Sequence, residues 1–324
     1  MVRAGSIGGA AQRGRARQCA RTVLMVRPAD FYANPETAPS NAFQHVGTAP
    51  AADTLAAAQA EFDAAAAALT AAGVVVVIAP ADPSAETPDA LYPNNWFSTH
   101  DDGRVALYPM AVPSRRRERR PELLAALAAR YGWRIEATLD LTGLEAQGLI
   151  LEGTGSLVLD RAAGIAYAAL SPRTHAEALS IAAGELGYQP IPFAARDAAG
   201  RDIYHTNVLM SVGPGITVLA SSLVAPGADL RRVFDALEQS GQQLLDITAT
   251  QVGEFAGNVL FLDGGRSGPL VCLSRRAWAS LTRPQRVLLE QHARPVRCAV
   301  DTIEHIGGGG IRCMLAEIFL PGAG

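Results

Sequence analysis

Hydrophobic positions along this chain alternate between two periods. Thr22-Val23-Leu24-Met25-Val26 is a short β-rich run stopped by Pro28. Ala- and Leu-rich stretches at about 53–72, 120–131, 174–187, 227–240 and 276–292 predict helices, several closed by Gly73, Gly132, Gly187 or Gly241 at the place of a C-cap. A strand-like segment follows, as in Val74 to Ile78 or Gln242 to Ile247. Between the helices lie paired apolar runs joined by turn residues, the mark of hairpins. They are Asn95 to Ser98 with Val105 to Tyr108, Ser156 to Leu159 with Ile165 to Ala168, Asn207 to Met210 with Thr217 to Leu219, and Asn258 to Phe261 with Leu270 to Leu273. Ile311-Arg312-Cys313-Met314-Leu315 ends the series.

Five units emerge. Their opening residues, Asn95, Thr154, Asn207, Asn258 and Ile311, are separated by roughly 50 to 60 residues, an interval typical of repeat architectures. The last unit lacks a helix and final strand, and the N-terminal segment has both to spare. An α/β fold follows: a five-bladed αβ propeller of pseudo-repeated ββαβ units, with inner strands around a channel and helices outside. A doubly wound sheet also alternates strands with helices, but strands paired between successive helices argue against it. No GxGxxG or Walker motif follows a first strand, and the glycines at 307–310 precede a strand without a Lys-Ser/Thr. We expect one catalytic domain over 21–324 after a disordered tail over 1–20, which is rich in Arg, Gly and Ala and contains no acid.

Composition narrows the class. With 49% hydrophobic and 18% charged residues the chain reads as a soluble globular enzyme. Its 28 basic and 31 acidic residues leave a net charge of -3, which builds no field for nucleic acid. Arg115-Arg116-Arg117, with Arg119 and Arg120, reads as a solvated face. Cys19, Cys272, Cys298 and Cys313 form no CxxC pair and no zinc spacing, so neither a metal nor another cofactor is implied. No apolar run reaches the roughly 20 residues of a membrane span. Reduced thiols and a cytoplasmic location are expected; whether the chain forms a homo-oligomer is left open.

Polar residues stand at the heads of several units, where one face of the fold would gather them. Cys313 follows four glycines, which permit close backbone approach to a ligand. Cys272, inside Leu270-Val271-Cys272-Leu273, reads instead as a small core residue, as does Cys298. His205 lies two residues before Asn207, on the same face if the chain is extended there; His305, beside the glycines, is its rival. Glu152 sits in Leu151-Glu152-Gly153-Thr154-Gly155, and Asn94-Asn95 opens the first hairpin. A thiol, an imidazole and a carboxylate from three units match the needs of covalent catalysis.

At these residues the sequence resembles the guanidino-group modifying enzymes, the superfamily of arginine deiminases, dimethylarginine hydrolases, agmatine deiminases and amidinotransferases. The matching motifs are Glu152-Gly153, His205-Thr206-Asn207, Leu170-Ser171-Pro172-Arg173-Thr174 and the glycine stretch ending in Cys313. The resemblance covers nearly the whole chain from about residue 22 and implies the pentein form of the five-bladed fold. It implies Cys313 as nucleophile, His205 as general acid/base, Glu152 as a catalytic carboxylate that binds substrate, and Arg173 as the grip on a substrate carboxylate.

The sequence departs from arginine-directed members at two positions. Asn95 and Asn207 stand where those members have Asp. A guanidinium only donates hydrogen bonds, whereas a ureido group carries a carbonyl that an Asn NH₂ can meet. The pattern is similar to the citrulline utilization hydrolases, as are Arg27-Pro28, Asn34-Pro35-Glu36-Thr37-Ala38 and Asn41-Ala42-Phe43-Gln44, loop residues placed to cover a substrate. The expected reaction is citrulline to ornithine, ammonia and carbon dioxide, with a small-molecule amino acid as the substrate partner. The alternatives are a deiminase or hydrolase of arginine or methylarginine, an amidinotransferase, and, in another class, a non-catalytic pentein binding module.

Overall fold

A computed structural model describes residues 17–322. Fifteen strands within that range form five sheets of three. One combines β1 (Thr22–Arg27) and β2 (Val75–Pro80) with β15 (Ala316–Ile318), in the order β15-β1-β2. The next holds β3 (Phe97–Thr99), β4 (Arg104–Leu107) and β5 (Ala137–Asp140), followed by β6 (Val158–Asp160), β7 (Ile165–Leu170) and β8 (Gln189–Ala194). Then come β9 (Met210–Val212), β10 (Ile216–Leu219) and β11 (Gln243–Asp246), and last β12 (Leu260–Asp263), β13 (Pro269–Ser274) and β14 (Arg294–Cys298).

Every sheet has the same grammar. The central strand pairs antiparallel with one neighbour and parallel with the other. A parallel pair needs a crossover, and a helix supplies each one: Ala51–Ala72, Pro121–Tyr131, Ala176–Leu186, Ala228–Gln239 and, in the last unit, Arg275–Ser280 with Arg283–His292. The expected spare strand is real, for the C-terminal β15 pairs with β1 in register Thr22↔Ile318 and Leu24↔Ala316. These sheets fit five pseudo-repeats of a mixed α/β fold.

Burial explains the order of the strands. The short strands β3, β6 and β9 are buried at every residue, whereas the outer β2 and β8 expose part of one face. The long helix Ala51–Ala72 buries Ala58, Phe62, Ala65, Leu69 and Ala72, one stripe at helical spacing, and stops at Gly73 in the left-handed conformation with φ 103°. Fully burying Phe62 or Leu69 is worth about 2 to 3 kcal/mol each. The predicted helix over 276–292 is divided instead, because Thr282 caps a new helix with a capping box and Pro284 cannot lie in its interior.

The expected tail over 1–20 falls mostly outside the described residues. Residues 1–16 lie outside them, while Gln18 donates to Leu159 O at 3.0 Å and Val212 O at 3.1 Å, and Ala20 bridges to Leu262. Among the described residues no helix is long and apolar enough to cross a membrane.

Candidate active site

The polar heads of the units are not strand residues. Pro93–Asn95, Thr206–Val208 and Ile311–Met314 are single 3-10 turns, and Gly153–Ser156 is one helical turn; the strand proper starts a few residues later. Pro93 at the turn start and Gly153 at φ 46° are incompatible with a ladder position, which an apolar run read by period alone does not reveal. His205 is extended, but Asn207 lies within the turn, so the two do not share one face of a strand.

These turns bring the predicted residues together. Asn95, Arg173, His205 and Cys313 line one cavity, and Glu152 sits fully buried against two of them. His205 Nε2 lies 2.8 Å from Glu152 Oε2, and Arg173 Nη1 lies 3.5 Å from the same oxygen. Glu152 also accepts the Ala111 N–H at 3.0 Å. Burial alone would raise its carboxyl, yet Arg173, His205 and Arg115 hold it well below the usual range. Burial drives His205 the other way, down to about 4, although Glu152 opposes this. At neutral pH the pair is a carboxylate and a neutral imidazole.

Cys313 is held in the last turn by its N–H, which donates to Gly310 O at 3.0 Å. Its Sγ receives Asn258 Nδ2 at 3.3 Å and Asn207 Nδ2 at 3.7 Å. Burial raises the thiol pKa, and Asn258, Arg312 and Asn207 only temper the rise. Without substrate, Cys313 is therefore a thiol in the cavity it shares with a neutral histidine.

The glycine run serves its neighbours. A Cβ on Gly307 would lie 2.1 Å from Tyr92 Oη, and one on Gly308, at φ 65°, would lie 2.7 Å from Asn41 Nδ2. Tyr92 Oη donates to Gly309 O at 3.1 Å and Tyr204 Oη to Gly308 O at 3.0 Å. The rival His305 is exposed and stacks on His45, with ring centroids 4.8 Å apart.

Three residues escaped the sequence reading. Arg115, expected on a solvated face, is buried: it donates to Asn95 Oδ1 at 3.0 Å and Tyr92 O at 3.2 Å and pairs with Glu118 at 2.7 Å. A charge run reads as surface because its average is polar; only the buried Glu118 three residues on signalled an internal ion pair. Asp89, also buried, lines the cavity and accepts from Asn34 Nδ2 at 2.8 Å. Asn258 was legible as the head of its unit, in register with Asn95 and Asn207, but was given no role.

The segment from Asn34 to Gln44 covers this site, as expected of its residues. Asn34 and Thr37 reach Asp89, Asn41 Nδ2 donates to Gly307 O at 3.3 Å, and Arg173 donates to Thr37 O at 3.1 Å and Ser40 Oγ at 2.6 Å. What remains is a cavity of ≈ 20 Å³, room for about one water. Tyr204 forms a wall between it and an outer cavity of ≈ 720 Å³ that Ser40 and Phe43 also line.

The fold is shared with solved enzymes. The chain is similar to the substrate-bound N-terminal domain of ArgZ, an arginine dihydrolase from the ornithine-ammonia cycle in Cyanobacteria, in a cysteine-to-serine variant: TM-score 0.69, 15% identity, covering 91% of this chain and 97% of that one. It covers 41% of full-length ArgZ. It is also similar to a cysteine-to-serine variant of DDAH from Pseudomonas aeruginosa complexed with citrulline, with TM-score 0.64 and 14% identity, covering 93% of this chain and 100% of that one. AgrE with L-arginine matches at TM-score 0.68 and 14% identity, over 91% of this chain and 40% of that one. At such identities the likeness is one of fold. No curated protein matches the chain. The model of the family N,N dimethylarginine dimethylhydrolase, eukaryotic, matches residues 27–320. The chain therefore belongs to the dimethylarginine dimethylhydrolase family, cysteine-dependent hydrolases of the pentein, guanidino-group modifying superfamily.

Proposed function

We propose that this hydrolase acts on citrulline, with Cys313 as nucleophile, His205 as proton carrier and Glu152 as the carboxylate that orients the imidazole. One observation carries the ureido reading. Arg115 has donors and no acceptor, so the Asn95 oxygen must face it, which turns Asn95 Nδ2 toward Glu152 O and the His205 ring. An NH₂ donor there suits a ureido oxygen and repels a guanidinium. The Asn207 oxygen, on the side chain that reaches Cys313 Sγ, is buried without a partner, which supports it as an acceptor for a ureido N–H group.

The chemistry follows from the resting protonation states. Neutral His205 takes the Cys313 proton as Sγ adds to the ureido carbon, and the added negative charge falls on the ureido oxygen beside Asn95 Nδ2. His205 then returns the proton to the departing δ-nitrogen, the C–N bond breaks, and ornithine leaves a carbamoyl thioester on Cys313. Water attacks that carbon with His205 as base, restoring the thiol and releasing carbamate, which falls to ammonia and carbon dioxide. That Arg173 and Asp89 both line the cavity supports assigning them to the carboxylate and ammonium of the amino acid.

Substrate needs more room than one water, so the Asn34 to Gln44 segment opens toward the outer cavity to admit it. We also read the five sheets as closing into the expected propeller, a reading supported by the meeting of both chain ends in one sheet.

A second reading is hydrolysis of arginine or a methylated arginine, favoured by the buried Asp89 and by the arginine-directed ArgZ and AgrE. Product analysis over citrulline, arginine and methylarginines separates the two. Ornithine from citrulline at a higher kcat/KM than any product from arginine supports the first; citrulline accumulating from arginine supports the second.

A further inference from the structure

Glu304 is a buried carboxylate without a role in the scheme above. It is 1% exposed, and neither of its oxygens has a hydrogen-bond partner. An orphaned buried acid is costly and asks for an explanation. It lies in the helix Asp301–Gly307, which leads directly into the glycine run and Cys313.

Geometry ties it to the nucleophile. A Cβ on Gly310 would lie 2.7 Å from Asn258 Oδ1, 3.2 Å from Phe255 Cδ1 and 3.4 Å from Glu304 Oε1, so all three side chains crowd the space beside this one glycine. The Gly310 carbonyl accepts the Cys313 N–H, and Asn258 donates to Cys313 Sγ. Phe255 holds its place at φ 61°, a left-handed conformation costly for an aromatic residue, and its carbonyl accepts the Asn258 N–H. We propose that Glu304 is a positioning residue: its protonated form braces Gly310 and Asn258 so that the Cys313 turn keeps its reactive geometry, and its ionised form does not. The proposal rests on Cys313 being the nucleophile.

The surroundings favour the protonated form. The Arg276 guanidinium, from the helix packed alongside, is already paired with Glu254. Glu61, on the helix Ala51–Ala72, caps Thr302 and Ile303, and Asp301 shares the Glu304 helix; both carboxylates repel a charge on Glu304. His305, on the same helix, is exposed and stacked on His45. The Ser274 hydroxyl accepts the Ala277 N–H, and its own O–H acts on the Glu304 carboxyl against the rise. Burial raises the Glu304 carboxyl to about 7, with Ser274 and Arg276 pulling weakly the other way. Ionisation thus falls near neutral pH and adds a charge among the Asp301 and Glu61 carboxylates, next to the glycine run that leads to Cys313.

The test compares the wild-type chain with Glu304→Gln, using iodoacetamide as the probe and peptide mass spectrometry to read alkylation of Cys313 from about pH 5.5 to about 9, with Tm measured alongside. Alkylation of the variant should climb without a break. In the wild type the climb should flatten above about pH 7 and fall at least roughly threefold behind the variant by about pH 8.5. The folded chain binds the Glu304 proton more tightly than the unfolded chain, so the wild type should lose Tm relative to Glu304→Gln as pH rises from about 4.5 to about 7 and hold a constant gap above.

Superimposable alkylation profiles, or a Tm gap independent of pH, would overturn the proposal. Should Glu304→Gln fail to fold, the wild-type curve decides: an unbroken climb through neutral pH is equally fatal. Selective labelling of Cys313 without the break removes Glu304 and leaves the nucleophile standing; no preference for Cys313 removes both.

Discussion

Arg115 donates to the Asn95 side-chain oxygen across 3.0 Å, and both residues are buried. The contact fixes the Asn95 oxygen toward Arg115 and its NH₂ away from it, so on the proposed citrulline reading the choice between ureido and guanidino substrates would depend on an arginine that never needs to touch either. The Asn95→Asp, Asn207→Asp double variant replaces that donor with acceptors and adds negative charge. It should lose about 10- to 100-fold in kcat/KM on citrulline, the cost of roughly 1.5 to 3 kcal/mol of hydrogen bonding, and gain on arginine. Steady-state kinetics on both substrates provides the check; unchanged or stronger preference for citrulline refutes the role of the two amides.

The His205 and Glu152 pair sets the acid limit. An unfolded histidine titrates near 6.5, whereas His205 in the fold is depressed to about 4. Between those values the unfolded chain binds the extra proton, so the stability this residue contributes at higher pH is lost as pH falls from about 6.5 to about 4. Activity should keep its neutral base well below pH 6: the acid limb of kcat/KM belongs near 4, and a midpoint close to 6.5 would contradict the assignment. Glu152→Gln should lower kcat about 100-fold by releasing the ring.

Gly155 is a constraint that kinetics can expose. A Cβ there would lie 2.3 Å from Asn95 Nδ2 and 2.8 Å from His205 Nδ1. Gly155→Ala must shift one of them, and a misplacement of about 1 Å costs on the order of 100-fold in rate. The drop should appear in kcat with Tm lowered by only a few degrees; wild-type kcat would show that the two side chains move aside freely.

Arg173 ties down the covering segment through Ser40 and Thr37, and on the proposed reading it also grips the substrate carboxylate. Arg173→Lys should raise KM for citrulline roughly 10- to 100-fold, because an ammonium cannot reproduce the bidentate grip. The same change unties the covering segment, so iodoacetamide should reach Cys313 faster. Slower labelling together with a higher KM would point to general damage instead.

How much of this was legible follows from what each signal carries. The repeat interval exposed five units, and their heads gave Cys313, His205 and Glu152, because a site built at one position of every repeat leaves its mark at that interval. The single turns at those heads were read as strand because Asn95 to Ser98 and Asn207 to Met210 are too short for their period to tell. Arg115 was hidden because burial of a guanidinium depends on Asn95, Tyr92 and Glu118, two of them distant in sequence. The protonation states of Cys313 and His205 were not legible for the same reason: desolvation belongs to the assembled cavity and to no local motif.

The central claim is a carbamoyl group carried on Cys313 during turnover of citrulline. Rapid quench of the chain with excess citrulline, followed by peptide mass spectrometry, tests it directly. The account predicts the mass of one carbamoyl group on the peptide bearing Cys313, ornithine released alongside it, and neither in Cys313→Ser. Ornithine released from citrulline by Cys313→Ser at the wild-type rate would contradict it.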